Sequence, residues 1–158
     1  MPLTPSLGGQ PSFFTVAQLF LSRDGRRNKA PTPMDAYARP LKDDDLRRLG
    51  DLFAKQPAPK PPVQGLNATQ FERGKALVQK RNCGVCHNPD FSGREQMPRL
   101  AGQREDYLLK AMRDYRRGDR IGYGSASMPE ELSGMSDRDL ADLAHYLAFF
   151  PAAAPGPR

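Results

Sequence analysis

The sequence predicts an all-α fold for this chain of 158 residues. No segment shows the alternation of apolar and polar residues that is typical of a strand, whereas several segments carry apolar residues at helical spacing. These helical segments also occur twice, in copies about 93 residues apart. The chain is therefore expected to be a helical protein that contains two related parts.

The repeat is clearest in a short run that begins with proline. Residues 5–10 read PSLGGQ, and residues 98–103, which lie 93 positions later, read PRLAGQ. An apolar helical stretch follows each run and ends in an Arg-x-Gly-x-Arg pattern, at residues 23–27 and 116–120. The register is thus kept over the whole of this stretch.

Both copies then continue in parallel. Each has a methionine, Met34 or Met128, and each then reaches an acidic helix start, at residues 43–46 or 137–140. An apolar helix closed by proline completes both copies. The register slips by a single residue over some fifty positions, which indicates an internal repeat rather than chance similarity. We call residues 5–57 the first copy and residues 98–151 the second copy.

The motif with the most specific chemistry is Cys83-Gly84-Val85-Cys86-His87, which contains the only cysteines of the chain. Two cysteines separated by two residues and followed at once by histidine are the attachment pattern of a c-type haem. In that chemistry both thiols bind one porphyrin, and the adjacent imidazole coordinates the iron. The pattern predicts a covalent haem c on Cys83 and Cys86, with His87 as the proximal iron ligand.

A zinc site and a dithiol redox switch are the alternative interpretations of the cysteine pair. Four-coordinate zinc needs two further nitrogen or sulfur ligands, and the chain offers only His87 and the distant His145. A thioredoxin-like dithiol normally lies beside a strand–helix–strand pattern, which is not evident here. The histidine directly after Cys86 favours haem attachment.

Residues 1–56 match only the back half of a complete domain. A cysteine equivalent to Cys83 would fall about ten residues before Met1. We therefore expect a partial domain that lacks a haem motif, with its front half and a signal peptide upstream in a longer gene product. Met34 would then be an axial ligand of that missing first haem. The alternative is a degenerate first module that has lost its haem.

A proline-rich linker and a haem-bearing domain follow in chain order. Residues 57–64 are predicted to form an extended, semi-rigid linker that sets the spacing of the two copies. The domain at residues 65–151 opens with a capping box at Thr69 and Glu72, and its first helix is predicted to end in the haem motif.

Two more helices are predicted in the second copy. One runs from about Arg104 to Arg116; its Tyr107 either hydrogen-bonds near a haem propionate or only packs. The last helix starts at a cap formed by Ser136 and Asp139. It carries an apolar stripe of Leu140, Leu143, Ala144, Leu147 and Phe150. His145 is expected at the surface, and residues 152–158 form a flexible tail.

The glycine-rich segment from Gly118 to Pro129 has no periodicity and is predicted to be a loop. Such a loop can follow the edge of a flat cofactor and bring Met128 to the iron. A lone methionine is usually core filler, but Met128 occupies the same repeat position as Met34. We therefore expect Met128 to be the second axial ligand.

Charge and hydropathy limit the classes of partner. The net charge of +6 and the pI of about 9.6 favour an acidic partner protein or peripheral contact with an anionic membrane face. The basic residues are dispersed, which argues against nucleic-acid binding. No apolar run approaches the length of a membrane span.

These motifs resemble those of class I c-type cytochromes. Residues 98–103, the Arg116–Arg120 pattern and the spacing of Met128 from Met135 are similar to the two-domain, dihaem cytochrome c4 group. The resemblance is strongest over residues 65–150. It implies a class I cytochrome c fold there, preceded by a partial cytochrome-c-like helical domain, and it departs from the group in lacking the first haem motif.

The resemblance also implies further haem contacts. A proline carbonyl, for which Pro98 is the candidate, would accept a hydrogen bond from His87, and Leu100 belongs to the same haem-binding run. If His87 and Met128 both bind iron, no position is open for a substrate, so the chain is expected to be an electron carrier and not an enzyme.

The family further implies a periplasmic location and electron transfer to a terminal oxidase or between redox proteins such as dehydrogenases. Two alternatives stay open: a haem-bearing subunit or domain of a periplasmic dehydrogenase, and a haem sensor that binds a small ligand if Met128 does not ligate. The sequence does not specify the oligomeric state.

Overall fold

The computed structural model describes residues 2–121 and 128–151. The helices of these residues are α1 (Ser12–Arg23), α2 (Pro33–Ala38), α3 (Asp43–Lys55), α4 (Ala68–Lys80), α5 (Cys83–His87), α6 (Glu105–Arg116), α7 (Met128–Glu131) and α8 (Asp137–Phe149). The described residues also contain two isolated antiparallel bridges, but they form no sheet. The all-α prediction is confirmed. The predicted tail at 152–158 lies outside the described residues.

The internal repeat is reproduced helix by helix. Helices α1 and α6 start and end 93 positions apart, and α3 and α8 start and end 94 positions apart. Each copy also turns at glycines with positive φ, Gly9 (68°) and Gly25 (65°) in the first and Gly102 (70°) and Gly118 (68°) in the second. Glycine adopts this left-handed conformation without a steric penalty. Helices α4 and α5 have no counterpart among the described residues.

Helix α8 is the centre of the C-terminal half. It packs against α4 and against α6. Four of the five residues of its predicted apolar stripe are buried: Leu140, Leu143, Ala144 and Leu147 are at most 4% exposed. The fifth, Phe150, lies just after the end of the helix and is half-buried. Val78 of α4 and Leu108 and Met112 of α6 join the same core. In the first copy, α2 and α3 both pack on α1.

Helices α4 and α8 approach so closely that glycine is required at one crossing position. A Cβ atom on Gly74 would lie 2.2 Å from the carbonyl oxygen of Asp142 and 2.6 Å from the Cβ of Tyr146. Next to this contact, the guanidinium of Arg73 donates two hydrogen bonds, of 2.6 and 2.9 Å, to the buried carboxylate of Asp142. The crossing fixes α4, and with it the start of the cysteine motif, against α8.

Replacing Gly74 with alanine is expected to destabilise the protein, although alanine favours a helix over glycine by about 1 kcal/mol. The added methyl group would collide with the backbone of α8, and overpacking typically costs about 1–3 kcal/mol. Urea unfolding would measure the change. Lys75→Ala, at the exposed next position, is the control and should unfold like the wild type. A gain in stability from Gly74→Ala would contradict this close packing.

The two predicted capping boxes have different outcomes. At α8, the Ser136 hydroxyl accepts the backbone N–H of Asp139 and the Asp139 carboxylate accepts the backbone N–H of Ser136, as predicted. At α4 the prediction is wrong, because the helix begins at Ala68 and the side chain of Asn67 accepts the N–H of Gln70 at 3.0 Å. Asparagine is as good an N-cap as threonine and stands earlier in the chain.

The two copies meet through loops and side chains. Among the described helices, none of α1–α3 packs on any of α4–α8. Instead, the side-chain amide of Gln10 donates to the carbonyl oxygen of Arg99 (3.0 Å) and accepts its N–H (2.9 Å). Gln103 makes the same pair of bonds with Ser6, at 2.9 and 2.8 Å. This exchange between equivalent positions relates the copies by a local pseudo-two-fold axis.

The proline-rich linker lies against both copies. A Cβ on Gly9 would be 2.9 Å from the Cβ of Ala58, and one on Gly102 would be 2.5 Å from the carbonyl oxygen of Pro59. The copies are in direct contact, and the linker packs against both of them.

None of the described helices combines the length and the apolar character needed to cross a lipid bilayer.

Candidate functional site

The cysteine motif forms a short helix of its own. Helix α4 ends at Lys80 instead of running into the motif, and Asn82, with a φ of 53°, separates it from α5. Cys83 and Cys86 lie three positions apart in this helix, which places both side chains on the same face. Both are free thiols, Cys83 half-buried and Cys86 exposed. The two sulfur atoms are thus available to one flat group on the same side of α5.

The environment of Cys83 disfavours a dithiol redox switch. Burial raises the pKa of the Cys83 thiol. A redox-active cysteine pair normally depends on a thiol whose pKa is lowered, because the thiolate is the attacking species.

His87 is buried, with 5% of its surface exposed, and its Nδ1 lies 3.0 Å from the carbonyl oxygen of Pro98. A carbonyl can only accept, so Nδ1 carries the proton and Nε2 keeps its lone pair. Burial lowers the pKa of His87 and outweighs the opposing effect of the hydrogen bond to Pro98. The ring is therefore held in the neutral tautomer that binds a metal through Nε2.

A tight loop brings Pro98 to the imidazole. The N–H of Gly93 donates to the carbonyl oxygen of His87, and the side chain of Asn88 donates to the carbonyl oxygen of Gly93. Gly93 has a φ of 76°, and a Cβ atom there would lie 2.5 Å from the backbone nitrogen of Arg99. A side chain at this position would push the Pro98 segment away from His87.

Leu100 and Met128 are half-buried and pack against the core formed by α4, α6 and α8, as does Cys83. Met128 is the first residue of α7, so the predicted loop ends before it; residues 122–127 of that loop lie outside the described residues. Met34 is 39% exposed in α2, which among the described helices packs only on α1. The structure therefore gathers Cys83, Leu100 and Met128 at one core and leaves Met34 apart.

Tyr107 does more than pack. Its hydroxyl oxygen accepts hydrogen bonds from the guanidinium groups of Arg27, at 3.3 Å, and Arg120, at 3.1 Å. Burial alone would raise the pKa of Tyr107, but the two positive charges outweigh it, and the pKa is lowered. The arginine partners of Tyr107 were not foreseen, although both belong to the repeated Arg-x-Gly-x-Arg pattern.

His145 is buried, with 3% exposure, so its prediction as a surface residue is wrong. Its Nε2 accepts the backbone N–H of Asn67 at 3.0 Å, and its Nδ1 donates to the carboxylate of Glu105 at 3.2 Å. These bonds tie α8 to α6 and to the start of α4. With both ring nitrogens engaged, His145 has no lone pair left for zinc, which weakens the zinc interpretation.

A c-type haem fits this set of groups. Two free thiols one helical turn apart suit thioether attachment, the Nε2 lone pair of His87 suits the iron, and Met128 offers a thioether at an apolar core. Within residues 2–121 and 128–151, no three His, Cys, Asp or Glu side chains converge as ligands for a bare metal ion.

Known proteins similar to this chain include cytochromes. The family model described as Cytochrome c matches residues 71–149. A cytochrome c4 of Azotobacter vinelandii is 48% identical over 81 residues, which are 47% of this chain and 37% of that protein. A thiosulfate dehydrogenase electron acceptor of Thiomonas intermedia is 29% identical over 156 residues, covering 93% of this chain and 70% of that protein. The chain thus matches well under half the length of the first of these relatives.

A solved structure of cytochrome c4 from Acidithiobacillus ferrooxidans has the same fold. The two superpose with a TM-score of 0.83 at 26% identity, over 94% of this chain and 90% of that one. The predicted cytochrome c fold is confirmed.

Proposed function

Because the chain belongs to the cytochrome c family, whose members transfer electrons on a covalently bound haem c, we propose that it carries one electron at a time between redox proteins. The observation that carries this proposal is the bond between His87 and Pro98, since it fixes the imidazole in its metal-binding tautomer directly after two free thiols.

We assign the two axial positions to His87 and Met128, with Cys83 and Cys86 as the attachment residues. Haem, when bound, supplies an iron that changes between the ferric and ferrous states. Pro98 orients the imidazole and raises its basicity through the hydrogen bond at Nδ1. Met128 provides a soft thioether, which favours the ferrous state more than a second nitrogen ligand would. With both positions taken by side chains, no site is left for a substrate.

The chain is divided, in this proposal, into a partial domain at residues 1–56, a linker at 57–64 and the haem-carrying domain at 65–151. Two features support the division. The core of α4, α6 and α8 is formed within residues 65–151, and the first copy repeats only α6, α7 and α8.

For partners we propose an acidic redox protein of the dehydrogenase class, since one relative is named as the electron acceptor of thiosulfate dehydrogenase. A terminal oxidase is the second candidate. The net charge of +6 would steer such encounters and would also support peripheral contact with an anionic membrane. Covalent haem attachment takes place outside the cytoplasm, so we propose a periplasmic location.

Potentiometric titration of the purified holoprotein tests the proposal. Its absorption spectrum is expected to change reversibly with one electron per haem, and the reduced form should not bind carbon monoxide. Carbon monoxide binding by the wild type would instead support the ligand-binding sensor. Stable co-purification with a catalytic subunit would support the dehydrogenase-subunit alternative.

A further inference from the structure

The loop that joins His87 to Pro98 contains a strained backbone. Asn88, Phe91 and Glu95 have φ values of 67°, 53° and 47°, which lie in the left-handed region. Residues with a Cβ atom seldom adopt this region; asparagine does so more readily than most, and a bulky residue such as phenylalanine does so rarely. Because strain of this kind persists only where the surrounding contacts impose it, the contacts of the loop indicate what it holds in place.

The side-chain amide of Asn88 closes the loop. Its nitrogen donates to the hydroxyl oxygen of Ser92 at 3.0 Å and to the carbonyl oxygen of Gly93 at 2.9 Å. The N–H of Gly93 donates in turn to the carbonyl oxygen of His87 at 3.0 Å. Asn88 is half-buried, so water competes less for these bonds. The amide therefore fixes Gly93 beside the residue that carries the imidazole.

Pro98 depends on this loop for its position. Proline has no backbone N–H, so no donor of its own holds Pro98, and its carbonyl oxygen is the group that faces His87. Its neighbours supply the contacts instead. The carbonyl oxygen of Phe91 accepts the N–H of Leu100 at 2.9 Å. Gly93 lies so close that a Cβ atom on it would be 2.5 Å from the carbonyl carbon of Pro98.

The ring of Phe91 fixes the middle of the loop to the protein core. It is buried, with 3% exposure, and lies edge-on to Phe150 with the ring centroids 4.8 Å apart. This packing holds the loop against the end of α8. The amide of Asn88 has the separate effect of holding the Gly93 turn against His87.

We propose that Asn88 is a positioning residue for the proximal ligand, because its amide keeps the carbonyl oxygen of Pro98 within hydrogen-bond distance of Nδ1 of His87. The inference rests on the proposed function, in which His87 binds the iron. The hydrogen bond at Nδ1 raises the basicity of the imidazole, and a more basic ligand stabilises the ferric state. Asn88 thereby helps to set the reduction potential, although it is not an iron ligand.

Asn88→Gly tests this role in the full-length holoprotein. Glycine adopts the left-handed backbone without strain, so the variant removes the amide and still allows the loop to keep its path. The Nδ1 proton of His87, followed by NMR in the reduced protein, should exchange with deuterium about fivefold faster, the factor expected for the loss of one ordinary hydrogen bond. The reduction potential should rise, because the imidazole becomes less basic.

Asn82→Gly is the matched control. Asn82 also has a positive φ, of 53°, but it is exposed and its side chain does not cap α5. Neither the exchange rate nor the potential should change in this variant. If Asn88→Gly fails to fold, Ser92→Ala removes one of the two acceptors of the amide, and both quantities must then change in the same direction by a smaller amount.

Two results would overturn the inference. One is wild-type exchange and potential in the folded Asn88→Gly protein, or in Ser92→Ala where that variant takes its place; a loss of stability in urea alone would mean that Asn88 only stabilises the loop. The other is an equal change in the Asn82→Gly control. A wild type without covalent haem would refute the proposed function and this inference together, whereas a haem-bearing wild type with an unaffected variant refutes this inference alone.

Discussion

Replacing both Cys83 and Cys86 with serine is expected to abolish covalent haem attachment. The chain has no other cysteine, so no thioether could form elsewhere. The wild-type polypeptide should stain for haem after denaturing electrophoresis and should exceed the mass of the bare chain by one haem. The double variant should show neither the stain nor the added mass. Because both measurements are made on denatured chains, the result does not depend on whether the variant folds.

One single variant serves as the control. Cys86→Ser changes the exposed thiol and keeps the half-buried Cys83, so one thioether should remain and the mass of one haem should be kept. The double variant should also lose much of its thermal stability, because it would lack the apolar surface of a haem that packs in the folded protein and is exposed to water on unfolding. A double variant that still stains would refute attachment at this motif.

The parts of the fold that were predictable are those set by local pattern and by the repeat. The apolar spacing of α6 and α8 marks them as helices, and the matching order of features in the first copy extends the prediction to α1 and α3. The cysteine motif is equally local, because its chemistry depends on five consecutive residues.

The parts that were missed depend on contacts distant in sequence. His145 bonds to Asn67 and Glu105, which lie 78 and 40 residues away, and histidine in an amphipathic helix gives no local sign of such partners. Arg27 and Arg120 could have been singled out, since the repeat places both at equivalent positions. Their convergence on Tyr107 depends on how the copies join, which no local pattern encodes.

Replacing Met128 is expected to have the largest effect on redox behaviour. In Met128→His a nitrogen ligand replaces the thioether and stabilises the ferric state, so the reduction potential should fall by an amount on the order of a few hundred millivolts. Met128→Ala should leave one axial position open, so the reduced protein should bind carbon monoxide. Potentiometry and absorption spectroscopy measure both effects, and the band of methionine-ligated ferric haem should vanish in both variants.

A matched control is available in Met135, which is 6% exposed in the same core. Met135→Leu conserves volume and apolar character, so it should cost less than about 1.5 kcal/mol of stability and leave the potential and the methionine band unchanged. This contrast separates ligation from packing, because both residues contact the core but only Met128 is assigned to the iron. If Met128→Ala kept the methionine band, another methionine would have to be the ligand, and the repeat-based assignment of Met128 would be wrong.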